Sequence, residues 1–221
     1  MVLSLSPGAT PVAEGDHVAS HANMWRVSDD FWDKWSLLFD QFARLRNWTP
    51  YRGPGHFPDA DMLPLGEVGM GRHTKLNRDE QYTLMSLWCI ARSPLIFGGD
   101  LTKLDEFTLS LITNAEVLAV DQQSTGNREL YHRDGQVAWT ADVPGSPDKY
   151  VALFNTRDPQ PNGVTGQVVV EFASLGLPAT CRVRDLWRQK DVGEFKGEFA
   201  AELKAHGAGL YRVAPAASLL R

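Results

Sequence analysis

The chain has 221 residues, 22 basic and 27 acidic side chains, and a formal net charge of -5 at pH 7. A hydrophobic content of 43% supports a packed core and excludes wholesale disorder. The mild acidity speaks against nucleic acid as the partner, and the lack of an apolar run near ~18 residues speaks against a membrane span. Cys89 and Cys181 form no CxxC pair, so two buried thiols are expected rather than a disulfide framework or a zinc cluster. An eight-stranded α/β barrel takes about 250 residues, so this length does not hold one together with a second domain.

Met1-Val2-Leu3-Ser4-Leu5-Ser6 reads as a strand feeding the Pro7-Gly8 turn. It does not read as a signal peptide, because no basic stretch precedes it and Pro7 interrupts it early. A strand this close to the start predicts further structure upstream. Residues 14–22 allow a helix turn or two, and Met24-Trp25-Arg26-Val27-Ser28 reads as a second strand. Between 33 and 48, Trp35, Leu38, Phe39, Phe42 and Leu45 follow a helical period. Residues 50–60 are rich in Pro and Gly and are expected to be a loop. Asn77 and Glu80 form a capping box that opens a buried helix running to about Arg92. Pro94 to Gly99 is expected to be a third strand, followed by a helix over about 104–113.

The pattern changes after Asp121. Short alternating runs at 136–139, 150–154, 167–172, 181–187 and 209–213 alternate with turn residues, which predicts an antiparallel β-sandwich. The expected division is an α/β unit over 1–122 and an all-β unit over 123–221.

Polar residues stand at the predicted strand ends, as they do in parallel α/β barrels. The strongest local signal is Arg26-Val27-Ser28-Asp29-Asp30-Phe31-Trp32-Asp33, adjacent carboxylates near a cation and tryptophans. Tryptophan faces suit sugar rings, and Asp30 among aromatics suits a general acid of raised pKa. The plain alternative is that Asp29, Asp30 and Asp33 open the next helix. Asp59 and Asp61 lie two apart and can point the same way from extended backbone, or be ordinary loop residues. His17 and His21 are spaced for a metal, yet no Glu follows His17, and an exposed helix face accounts for them better.

Together these motifs resemble the α-galactosidases (melibiases) of glycoside hydrolase family 27. The matching segments are Trp25-Arg26 to Asp30, Gly53-Pro54-Gly55 through Asp59-Ala60-Asp61-Met62-Leu63, Leu87 to Leu95, Asn114 to Gln122, and Val183-Arg184-Asp185-Leu186-Trp187. The resemblance implies the second half of a (β/α)8 TIM barrel, about four strands, followed by an antiparallel sandwich. It implies retaining hydrolysis of terminal α-linked galactose by two carboxylates, with no cofactor and no metal. By position, Asp30 matches the acid/base, Arg26 and Asp61 match residues that hold sugar hydroxyls, and Met62 matches a pocket wall. Ser6 falls where the family often has a Glu, which bears on substrate choice.

The family's nucleophile sits in a Lys-x-Asp motif at the end of the fourth strand. Lys103-Leu104-Asp105 has that spelling but falls after the last barrel strand, where it reads as the start of a helix. The resemblance therefore implies a chain that carries the acid/base without the nucleophile. The implied partners are a galactoside and a complementing N-terminal barrel half, and the sheet edges and apolar interior that half a barrel exposes predict self-association or poor solubility. The alternative is an inactive remnant that binds sugar or does nothing. The resemblance also implies a secreted or periplasmic protein.

Overall fold

A computed structural model describes residues 1–160, 163 and 165–216. The chain divides into two compact units, 1–113 and 114–221.

The first unit is built from β/α repeats. Strands β1 (Ser4–Leu5), β2 (Met24–Arg26) and β3 (Phe57–Asp59) form a parallel sheet in the order β1-β2-β3. Helix α1 (Gly15–His21) connects β1 to β2, and α2 (Trp35–Trp48) connects β2 to β3. In the register, Leu5 pairs with Trp25 and Arg26 pairs with Asp59. Alternation along the strands then sorts the side chains. Trp25 falls on one face, where its ring meets Trp48 of α2 at 5.8 Å. Arg26 and Asp59, level with each other, fall on the opposite face.

The stretch at 57–59, expected to be loop, is therefore a strand. Proline supplies no N–H at 58, but the Phe57 N–H donates to the Asn23 carbonyl at 2.9 Å. The expected strand at Pro94 to Gly99 is reduced to one parallel bridge between Leu63 and Phe97. It is held by Leu63 N–H to the Ile96 carbonyl at 2.7 Å and Gly98 N–H to the Leu63 carbonyl at 2.9 Å. Pro94 brings no donor to that stretch, and the chain turns away at Gly98 and Gly99. This bridge stands where the third strand was expected.

Helix α3 (Arg78–Ala91) begins with the capping box read from the sequence. The Asn77 side chain accepts from the Glu80 N–H at 3.0 Å, and the Glu80 carboxylate accepts from the Asn77 N–H at 2.8 Å. Leu84, Leu87, Trp88, Cys89 and Ile90 are completely buried, as its mostly apolar sequence requires. Helix α4 (Glu106–Ile112) is capped by Asp105, whose carboxylate accepts from the Thr108 N–H at 2.7 Å.

The second unit opens with helix α5 (Ala115–Gln123). Asn114 caps it and also donates from its amide to the Leu186 carbonyl at 3.0 Å. Among the described residues eight strands follow: β4 (Thr125–Arg133), β5 (Gln136–Asp142), β6 (Lys149–Asn155), β7 (Gly166–Glu171), β8 (Thr180–Asp185), β9 (Lys190–Lys196), β10 (Glu198–Leu203) and β11 (Ala208–Pro215). Six form an antiparallel sheet in the order β4-β5-β6-β11-β8-β9, and β10 pairs with β7 in a second sheet. The core between them takes alternate residues from each strand, such as Val151 and Leu153, Val168 and Val170, Phe199 and Leu203, and Tyr211 and Val213. The edge strand β9 is almost wholly exposed and charged, which protects an unpaired edge from further pairing.

Candidate active site

The polar residues converge at the carboxyl ends of the parallel strands, where α/β barrels place their chemistry. Arg26 is the last residue of β2 and its side chain is buried to 9% exposure. Its Nη2 lies 2.9 Å from Asp61 Oδ2 and 3.6 Å from Asp30 Oδ1. A buried guanidinium needs a close counter-charge to offset desolvation, and Asp61 supplies it.

Asp61 is fixed at four points. Its Oδ2 faces Arg26 and also accepts from the Phe31 N–H at 2.7 Å. Its own N–H donates to Asp59 Oδ1 at 2.9 Å, and its carbonyl accepts from Trp88 Nε1 at 2.9 Å. Its backbone is left-handed, with φ 81°. The Phe31 ring packs against Trp88 at 5.0 Å, so the loop after β2 and the segment after β3 share one anchor. The role of Trp88 was not foreseen. Its signal was a hydrogen-bonding indole within an otherwise apolar helix.

Asp30 differs from its expected setting. Its carboxylate is 85% exposed rather than enclosed by aromatics. Phe31 turns inward onto Trp88, and Trp32 is itself 42% exposed. The carboxylate buried level with Arg26 is Asp59, at 3% exposure. Burial pushes it up, the Asp61 N–H and Arg26 pull it down, and the Asp61 charge raises it again. The outcome is a pKa of about 6.

The neighbouring acids have structural duties. Asp29 accepts from the Ala9 N–H at 3.2 Å. Asp33 does not cap α2, whose cap residue is Lys34. It instead pairs with Arg72 and accepts from the Lys75 N–H at 2.7 Å. Burial alone would raise its pKa, but these bonds outweigh burial and hold the carboxyl below its usual range. Lys103 pairs with Glu67 at 2.5 Å and with Asp100 at 3.4 Å. With Asp105 spent on capping α4, the Lys103-Leu104-Asp105 run is structural.

Met62 is half-buried beside the Leu63–Phe97 bridge, and a Cβ at Gly98 would meet its sulfur at 2.5 Å. Ser6 is exposed, one residue beyond the last pairing of β1 with β2. The structure thus brings Arg26, Asp30 and Asp61 together, sets Met62 next to Asp61, and leaves Ser6 at the end of the neighbouring strand. His17 and His21 lie on α1 with rings 4.5 Å apart, and His21 Nδ1 is 2.7 Å from the His17 carbonyl. Among the described residues, no group of three or more His, Cys, Asp or Glu is arranged to hold a metal ion, and no helix is long and apolar enough to cross a membrane.

The model of the family described as Alpha galactosidase A matches residues 7–123, and that of the Alpha galactosidase C-terminal beta sandwich domain matches residues 133–213. The chain belongs to the α-galactosidase (melibiase) family, glycoside hydrolase family 27. Its architecture is accordingly part of the family's barrel together with the family's sandwich. Alpha-galactosidase 3 of Arabidopsis thaliana is 33% identical over 87% of this chain and 43% of its own length. The alpha-galactosidase of Cyamopsis tetragonoloba is 30% identical over 89% of this chain and 46% of its own. Among solved structures, a GH27 β-L-arabinopyranosidase from Geobacillus stearothermophilus is 43% identical with a TM-score of 0.93, over 98% of this chain and 50% of that one. The chain thus spans about half the length of the relatives it matches.

Proposed function

We propose that this chain carries the acid/base side of a retaining glycosidase site that releases terminal α-linked galactose. Asp30 is the acid/base. It protonates the departing glycosidic oxygen and later takes a proton from the incoming water. Arg26 and Asp61 hold sugar hydroxyls, Met62 forms a wall, and Ser6 lies at the rim. The observation that carries this reading is the arrangement of Arg26 between Asp30 and Asp61 at the strand ends. The Asp30 carboxylate is exposed and reaches solvent, as proton transfer requires. Asp61 is pinned through Oδ2 and the backbone, as orientation of a substrate requires.

No residue of the chain takes the nucleophile's part in this reading, so a complementing barrel half supplies it. Self-association through the exposed edges of a partial barrel is a separate expectation and supplies no nucleophile; the setting is secreted or periplasmic. The 43% identity to an arabinopyranosidase favours a second reading of the substrate. β-L-Arabinopyranose has the ring stereochemistry of α-D-galactose without the hydroxymethyl group, so the same three residues fit both.

The test is hydrolysis of aryl α-galactoside and aryl β-L-arabinopyranoside by the full chain, with calorimetry of galactose and arabinose binding. Sugar binding with negligible turnover is expected. Robust turnover that disappears in Asp30→Asn would sink the claim that the nucleophile comes from elsewhere. Absence of both binding and turnover would favour an inactive remnant.

A further inference from the structure

Asp61 has a backbone conformation that few side-chain-bearing residues adopt, φ 81°, and it occupies the centre of the site. Such a conformation costs free energy and persists only where its surroundings hold it. Two contacts hold the main chain here: the Trp88 indole on the carbonyl side and the Asp59 carboxylate on the N–H side. We infer that Asp59 is a positioning residue, whose carboxylate oxygen fixes the turn that aims Asp61 at Arg26 and at the Phe31 N–H. The inference rests on the reading of Arg26 and Asp61 as sugar-holding residues, and extends it to the group behind them.

The geometry separates this role from two others. A nucleophile or acid needs access to substrate, and Asp59 is 3% exposed as the last residue of β3. A residue serving only the sheet needs no side-chain acceptor, yet Asp59 Oδ1 takes the N–H two residues ahead, the pattern of an Asx turn. The Asp59 main chain continues the ladder independently, since its carbonyl accepts from the Val27 N–H at 2.9 Å. The side chain therefore acts on Asp61, and through Asp61 on Arg26. Without that acceptor, Asp61 would relax toward ordinary φ values. Its carboxylate would then swing away from the 2.9 Å contact with the guanidinium.

An acceptor is what the turn requires, so Asn serves where Ala does not. The experiment uses the full chain with Asp59→Asn and Asp59→Ala. It reads galactose affinity by calorimetry and hydrogen exchange of the Asp61 amide by NMR. In Asp59→Asn, affinity should stay within about threefold and the amide should stay protected. In Asp59→Ala, affinity should fall about tenfold or more and the amide should exchange faster by a similar factor, the loss of one hydrogen bond to a charged group. Asp59→Asn behaving like Asp59→Ala would overturn the inference, and so would full retention in Asp59→Ala. Should Asp59→Ala not fold, the retained affinity and protection of Asp59→Asn decide the matter alone. Failure of the wild-type chain to bind sugar would defeat the functional reading, while the amide exchange would still judge the role of Asp59.

Discussion

Replacing Asp59 by Asn should stabilise the protein at neutral pH and leave it unchanged under acid conditions. In the folded chain the carboxyl has a pKa of about 6, against 3.8 for the free side chain. The folded state therefore keeps its proton at pH values where the unfolded chain has released it. Linkage then makes this group's contribution complete below about pH 4, and the contribution is lost as pH rises through 6. A displacement of about two pKa units, at about 1.4 kcal/mol each, gives an upper figure of ~3 kcal/mol. Asn mimics the neutral acid at every pH and keeps the Oδ1 acceptor. The stability difference between variant and wild type should grow from near zero at pH 4 to about 2–3 kcal/mol at pH 7.5. Glu67 (bonded by Lys103), Asp100 (by Thr102), Asp105 (by the Thr108 N–H) and Asp33 are all held below their usual range. Their stabilisation is lost as pH falls, and it is common to both proteins, so it cancels in the difference. Urea unfolding followed by tryptophan fluorescence, at fixed ionic strength from pH 4 to 8, reads that difference. A flat difference, or one largest at pH 4, would refute the reasoning.

Two further perturbations test the second unit. Asn114→Ala removes the cap of α5 and the buried amide bond to the Leu186 carbonyl. It should cost about 2 kcal/mol in urea unfolding followed by circular dichroism. Phe172→Ala empties a completely buried position in the sandwich core and should cost about 3–5 kcal/mol by the same measurement.

Much of this fold was legible wherever local chemistry and tertiary packing agreed. The Asn77–Glu80 capping box is such a case, because both partners lie within four residues and need nothing else. Strand β8 carried its apolar alternation openly, and β5, β6 and β11 showed as short apolar runs. Strand β9 did not, because an exposed edge has no buried face to write into the pattern. Strand β3 was hidden for the opposite reason. Pro58 and the Gly-rich approach to it read as turn chemistry, while the pairing that makes it a strand comes from β2, more than thirty residues away. In the site, Arg26, Asp30 and Asp61 were selected by their order along the chain. The division of labour between Asp59 and Asp61 was not legible. Their spacing says only that both leave the strand in related directions. Which one is buried depends on Arg26, Trp88 and Phe31, which arrive from other segments.

The sheet of the first unit supplies an argument for function that needs no family. Parallel sheets normally bury both faces and carry apolar residues on each. Here one face follows the rule: Trp25, Val27 and Ala60 are at most 1% exposed. The other face carries Arg26, Ser28 and Asp59 at 7%, 3% and 3% exposure. Among the described residues, no hydrogen bond reaches Arg26 Nε or Ser28 Oγ. Burying a guanidinium, a hydroxyl and a carboxylate side by side opposes folding, and apolar residues of similar volume would pack there at less cost. The Arg26–Asp61 pair offsets part of that opposition and leaves the Ser28 hydroxyl and the Arg26 Nε uncompensated. Such a concentration of buried polar and charged groups over one strand-end surface marks it as a place where folding yields to chemistry. The three residues singled out for sugar contact or proton transfer, Arg26, Asp30 and Asp61, meet at the carboxyl end of that face.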